Sequence, residues 1–232
     1  MRIGRIAENN NCSFDPWACG GGAALAAGVG AATPGAGYTS ALIGAGSQAS
    51  SVSYTTPTIN GFSAALQTTL TPTAGVAASS ALTAGRTNER RVMNVNYANG
   101  PIAAQFIKVD GGASTGATTA DNASEATGIA ASYNFGVAKL NVMNAVNKDA
   151  AGTKTADVTS VSGTVPMGAY TILAGYNSNS VNKHSKTAVG VNYALSKRTT
   201  LGADVFKAEG IAAVSGSGAA SNGFALRMAH TF

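Results

Sequence analysis

The stretch Gly223-Phe224-Ala225-Leu226-Arg227-Met228-Ala229-His230-Thr231-Phe232 decides the fold. Phe224, Leu226, Met228, His230 and Phe232 share one parity, and Ala225, Arg227, Ala229 and Thr231 the other, so an extended strand shows one bulky face and one small or charged face. The plan recurs upstream, where Thr187, Val189, Val191, Tyr193 and Leu195 alternate with Lys186, Ala188, Gly190, Asn192 and Ala194. Phe62, Ala64 and Leu66 alternate with Ser63, Ala65 and Gln67, and Ile129, Ala131, Tyr133 and Phe135 with Ala130, Ser132 and Asn134. The second set in each case cannot build a hydrophobic core. A soluble sandwich would turn the large side chains inward against each other, whereas a membrane barrel turns them to lipid and the polar set to water. Periodicity alone does not separate the two.

The connections separate them better. From Thr58 onward, tight turns fit Ile59-Asn60-Gly61, Ala98-Asn99-Gly100-Pro101, Asn134-Phe135-Gly136-Val137, Pro166-Met167-Gly168 and Ser196-Lys197-Arg198. Between them lie longer Gly-, Ser-, Thr- and Asn-rich stretches at Thr71 to Glu89, Gly111 to Ser124, Lys148 to Ala156, Asn177 to Ser185 and Glu209 to Ser221. Short turns on one side and long loops on the other characterise a transmembrane barrel, with about twelve strands of roughly 7 to 11 residues here. Tyr54, Phe62, Tyr97, Tyr133, Phe135, Tyr170, Tyr193 and Phe232 fall near the short-turn side, where an interfacial aromatic girdle would sit; aromatics capping a soluble sheet are the alternative. The fold class read from these features is all-β, an antiparallel transmembrane β-barrel.

Composition agrees. Of 232 residues 45% are hydrophobic, yet only 6% are aromatic and 11% charged, far fewer charges than the roughly one quarter usual in a soluble globular chain. Ala-rich segments are broken by Gly, Ser, Asn and Thr before they reach the roughly 18 apolar residues of a membrane-spanning helix. Met1-Arg2-Ile3-Gly4-Arg5 does not lead into a secretory signal, which for an exported protein implies a removed or missing N-terminus. The formal charge is +5, but Lys and Arg are spread singly apart from Glu89-Arg90-Arg91 and Lys197-Arg198, which speaks against nucleic acid and suits a water-filled passage favouring anions. Cys12 and Cys19, the only cysteines, lack the companions a zinc site needs and are read as a local disulfide in an oxidising compartment, with free thiols as the alternative.

Several segments resemble the trimeric general porins of proteobacterial outer membranes: Ser51-Val52-Ser53-Tyr54-Thr55-Thr56-Pro57 with Asn60-Gly61-Phe62-Ser63, Asn96-Tyr97-Ala98-Asn99-Gly100-Pro101, Asn192-Tyr193-Ala194-Leu195-Ser196-Lys197-Arg198-Thr199, and Gly223-Phe224 through Phe232. The resemblance covers nearly the whole chain and implies a single porin domain over 1–232. Such porins have sixteen strands. Matching the last strands makes Arg2 to Ala7 resemble the fifth, so the resemblance implies a chain truncated by four strands, an independent twelve-stranded barrel being the alternative. Glu8 to Ser50 then corresponds to the loop that folds inward and narrows the pore, with Glu8 and Asp15 as its acidic side and Arg5 at a basic wall position. Arg5 shares parity with Ile3 near a strand end where a bulge could change its facing. Two positions often basic in relatives read Gln48 and Ser53 here, which implies a wider or less charged constriction.

On the water-facing parity stand Lys139, Lys186, Asp204 and Arg227, with Arg90 and Arg91 near a loop mouth; they read either as a moderately cationic lumen or as charges that merely solvate it. Phe232, a terminal aromatic on an alternating last strand, resembles the signal by which the barrel assembly machinery recognises outer-membrane proteins. The implied partners are two further copies in a homotrimer, outer-membrane lipid and lipopolysaccharide, in a Gram-negative outer membrane. The implied function is passive diffusion of small hydrophilic solutes and ions, with mild anion preference. A translocator barrel of an autotransporter or adhesin is the rival, since it also ends in Phe. An enzyme is not expected, because His184 lies in a polar stretch and His230 on the bulky parity, and neither forms a constellation with Ser and Asp. No cluster has metal-ligand spacing and no cofactor is expected.

Overall fold

The computed structural model describes residues 1–7, 11–17, 47–69, 90–110, 125–149, 151–181, 183–209 and 222–231. They form twelve strands: β1 (Arg2–Ala7), β2 (Ser47–Thr55), β3 (Phe62–Thr69), β4 (Arg91–Asn99), β5 (Ile102–Asp110), β6 (Glu125–Asn134), β7 (Lys139–Lys148), β8 (Lys154–Met167), β9 (Tyr170–Asn179), β10 (His184–Ala194), β11 (Thr199–Glu209) and β12 (Asn222–His230). One sheet contains them all in sequence order, each antiparallel to its neighbour. No helix among the described residues is long and apolar enough to cross a membrane.

The period-two pattern sets the two faces. Leu66, Ile129, Leu140, Val161, Ile172, Val189, Val205, Phe224, Leu226 and Met228 stand exposed on one face. The alternating residues Gln67, Asn94, Gln105, Ser132, Asn141, Ser160, Asn177 and Asp204 are buried on the other. Large apolar groups outside and amides and hydroxyls inside invert the arrangement of a soluble sandwich. We call the two faces outer and inner.

Aromatics at the short-turn ends of the strands pair on the outer face: Phe62 with Tyr97 (ring centroids 4.5 Å apart), Tyr133 with Phe135 (4.6 Å) and Tyr170 with Tyr193 (4.8 Å). This is the girdle expected at a membrane interface. The turns follow their residues. Asn60 and Gly61 take positive φ, 50° and 85°, between β2 and β3, and Gly100, Gly136 and Gly168 do so between β4 and β5, β6 and β7, and β8 and β9. At Gly61 the requirement is also steric, since a Cβ there would lie 2.6 Å from the Ala98 carbonyl oxygen. Gly61→Val is expected to lower stability by about 2 kcal/mol or more, read as a reduced denaturation midpoint of the refolded protein, with Gly152→Val, whose Cβ would meet open space, as the milder control.

Two connections differ from the sequence expectation. The stretches from Lys148 to Ala156 and from Asn177 to Ser185 are not long loops: β7 and β8 are joined through 149–153, and β9 and β10 through 180–183. Asp149 closes the first turn, its carboxylate accepting from the amides of Ala151 and Thr153, both at 2.9 Å. Asn179 closes the second, accepting from Val181 N at 3.0 Å, with Lys183 at φ 58°. Polar composition marks turn formers and polar strand ends as readily as loops, so these strands run longer than read. Pro166 likewise lies inside β8, opposite Thr171, where β8 extends beyond its pairing with β7 and the missing N–H costs no bond on that side.

Candidate functional site: a segment docked on the inner wall

Asn11 to Trp17 crosses the inner face. Asn11 leads into a single 3₁₀ turn, Cys12–Phe14, closed by amides of Phe14 on Asn11 O and Asp15 on Cys12 O, both at 3.1 Å. The Asp15 carboxylate accepts from Trp17 N at 3.1 Å across Pro16, whose fixed φ suits the bend. This short turn presents its two large rings, Phe14 and Trp17, to two separate clusters of the inner wall.

Phe14 seats in an apolar patch of Val92, Ile107, Val109, Met143, Ala145 and Val158. All of these lie on the inner parity of β4 to β8, where a water-filled lumen alone would give them no reason to be apolar. Asn11 adds a contact, its amide nitrogen 3.8 Å from Met143 Sδ. Burying Phe14 here contributes roughly 1.5–3 kcal/mol to docking.

Trp17 docks further along the wall against Leu173, Ala188 and Phe206. Its indole Nε1 donates to Asp204 Oδ1 at 2.8 Å. Asp204 also receives Arg227, through Nε at 2.5 Å to Oδ2 and Nη2 at 3.0 Å to Oδ1, and Arg227 Nη2 reaches Asn192 Oδ1 at 3.1 Å. Register explains the convergence: Asp204 lies opposite Gly190 and Ala225, and Arg227 opposite Gly202, whose partner across β10 is Asn192. Glycines leave the room. A Cβ on Gly190 would fall onto the Asp204 carboxylate, and one on Gly202 would come within 2.8 Å of Asn192 Oδ1. Lys186 is fully buried beside this cluster, its Nζ 5.2 Å from the Phe206 ring centre and within the electrostatic reach of Asp15. The site is therefore a latch, in which a lone tryptophan and an acidic turn clamp the segment to a charged patch of wall.

Residues 9–210 match the Gram-negative porin family. The chain belongs to that family. Its place is accordingly the outer membrane. Among solved structures, a variant of Rhodopseudomonas blastica porin is 16% identical with a TM-score of 0.54, aligning over 76% of this chain and 52% of its own length. A more heavily substituted variant of that porin is 17% identical with a TM-score of 0.57, covering 78% and 55%. A loop-deletion mutant of OmpT, an outer membrane protein of Vibrio cholerae, is 16% identical with a TM-score of 0.53, covering 79% and 63%. At these identities the likeness is one of fold, and this porin spans about half the length of the first of them. No curated protein matches the chain.

The residues singled out in the porin's sequence are distributed unevenly over this frame. Asp15, Lys186, Asp204 and Arg227 come together on the inner wall. Lys186 is sealed by its neighbours rather than open to the lumen, as the reading of parity alone had it. Lys139 is on the inner parity of β7, opposite Thr164, and makes no ion pair among the described residues. Arg90 is buried immediately before β4, its amide donating to Thr69 Oγ1 at 2.8 Å. Arg91, one residue on, takes the outer parity with Met93 and lies opposite Asp110, so it is no lumen residue. Arg5 sits in a bulge: the β1–β2 register shifts between Gly4 and Ile6, with Gly4 at φ 125°. Cys12 is disulfide-bonded, while Cys19, Glu8 and Phe232 lie outside the described residues. Trp17, Phe14 and Asn192 were not singled out as site residues by sequence. The available signal was that the chain's one tryptophan follows Asp15-Pro16 between the two cysteines.

Proposed function

We propose that this porin provides a passive path for small hydrophilic solutes and ions across the outer membrane, narrowed by the segment within 8–50 that includes Asn11 to Trp17. One observation supports this above the others: among the described residues, each of the two clusters of buried apolar side chains on the polar inner wall holds one ring of this segment, Phe14 or Trp17. An inward segment is thereby a specified part of the wall. In this reading the long connections face the cell exterior, the aromatic turns face the periplasm, and three copies assemble as the resemblance implies.

The same reading assigns a mild anion preference. Asp204 neutralises Arg227, Asp15 faces Lys186 and Arg90 is buried, while Lys139 stands half-buried on the inner parity of β7 with no ion pair among the described residues. Charges that line a narrow aqueous path focus its field and bias ion entry. In planar bilayers under a salt gradient, the reversal potential should lie on the anion side. Lys139→Glu should lower the anion-to-cation permeability ratio about twofold, whereas an unchanged reversal potential would remove Lys139 from the account. Liposome swelling by sugars of rising size tests the solute class: a smooth decline of rate with size supports diffusion, and uptake of one sugar only opposes it.

A further inference from the structure

Between the seat of Phe14 and the seat of Trp17 the inner wall turns polar, and two adjacent cross-strand rows join them. One row runs Met143, Ser160, Asn177 and Lys186, from the Phe14 cluster to the ammonium that Asp15 faces. The other runs Asn141, Ser162, Gly175 and Ala188, and ends in the Trp17 cluster. Phe14 is anchored on one side and Trp17 on the other, so the Asp15-Pro16 bend spans the strip of β8 that carries Ser160 and Ser162.

Asn141, Ser160 and Ser162 are 3%, 1% and 3% exposed. Asn141 Oδ1 and both serine Oγ atoms are sealed from solvent and have no hydrogen-bond partner among the described residues. Asn141 and Ser162 stand directly opposite each other across β7 and β8, yet neither bonds to the other. Facing Cβ atoms lie about 4.5–5.5 Å apart in such a pair. A buried oxygen without a partner is costly, and folded proteins satisfy it with protein groups or ordered water. The three atoms define what they take. Asn141 Oδ1 only accepts, so its ligand must donate, whereas each hydroxyl both donates and accepts. No carboxylate stands among the three to hold a cation, and the amide oxygen repels an anion. An uncharged O–H group that donates and accepts matches all of them. Because the atoms are shut off from the lumen, a permeating solute does not reach them.

We infer that Asn141, Ser160 and Ser162 form an ordered-water site behind the docked segment, which is mounted dry at its two rings and through water between them. One water bridging Asn141 Oδ1 and Ser162 Oγ, with a second on Ser160 Oγ, gives every one of these oxygens its bond. The site explains how a segment seats on a polar stretch of wall without stripping that stretch of hydration. It concerns how the segment is held, and so stands or falls separately from conduction.

The sign of a serine deletion tests it, in the refolded full chain, with hydrogen exchange of amides 11–17 as the readout. Deleting a hydroxyl that is buried without a partner relieves a penalty and tightens docking, whereas deleting one that holds a bridging water loosens it. Ser160→Ala and Ser162→Ala should each speed exchange of these amides about fivefold, while the amides of β7 and β8 keep their protection. Asn141→Ala combined with Ser162→Ala should speed it by less than the product of the two single effects, because one water serves both side chains. Slowed or unchanged exchange in both serine variants would overturn the inference, and so would single effects that multiply in the double variant. A high-resolution crystal structure gives the direct view: water bonded to Ser162 Oγ and Asn141 Oδ1 supports the site, and a protein group on those atoms contradicts it.

Discussion

Asp204→Ala is expected to undock Trp17 and produce the largest change of any single substitution in the inner wall. Asp204 is almost fully buried and holds three bonds at once, one from the indole and two from Arg227. Its removal strips the indole N–H of its only described acceptor and leaves a guanidinium, 30% exposed, without its carboxylate. Solvent reaches Arg227 and softens the penalty, so the expected loss is about 2–4 kcal/mol, below that of a fully buried pair. Because the chain has one tryptophan, the readout is direct: the emission of Trp17 should shift to the red and the thermal midpoint should fall. Asp204→Asn, which keeps an acceptor for the indole while removing the charge, should fall between. Unshifted emission in Asp204→Ala would show that Trp17 is held by packing alone.

Phe14→Ala should release the other half of the segment. The ring fills a patch in which Val92, Ile107, Met143 and Val158 are each 1% exposed or less. Truncation leaves a cavity open to the lumen, at a cost of about 3–4 kcal/mol to docking. The strands themselves lose little, since their ladders do not pass through Phe14. Hydrogen exchange separates the two effects: amides of 11–17 should exchange at least tenfold faster, and amides of β5 to β7 should keep their protection. Uniform loss of protection across the sheet would mean that the segment is a folding core for the wall rather than a docked element.

How much of this was legible in the sequence depends on the range of the interaction that decides each feature. Strand identity, the two faces and most turns are local. Phe224, Leu226 and Met228 against Ala225 and Arg227 state both the strand and its sidedness, and Gly61 and Gly136 state their turns because few other residues take those φ values. The family was legible from the same segments. Connection lengths were less so, because Asp149 and Asn179 use loop-like polarity to close tight turns.

The site was legible only as a set of charges. Parity put Lys186, Asp204 and Arg227 on one face, but it could not say that Asp204 would bind Trp17, 187 positions away, or that Lys186 would be covered. Such contacts depend on the path of the segment across the sheet, which no period encodes. One hint was present and carried more than it appeared to. Val92, Ile107, Val109, Met143 and Val158 break the polar inner pattern, and an apolar patch on a wetted face calls for a cover. Arg91 shows the opposite error: adjacency to Arg90 suggested a shared role, while strand alternation puts the two on opposite faces.

The measurement that bears most directly on the central claim is single-channel recording of the refolded chain in planar bilayers, on protein whose Trp17 emission shows the segment docked. Stable, ohmic steps that grow when Asp204→Ala releases the segment are the predicted result. Docked protein that inserts and passes no current, or steps of the same size with the segment released, would contradict the claim that this segment narrows a water-filled path.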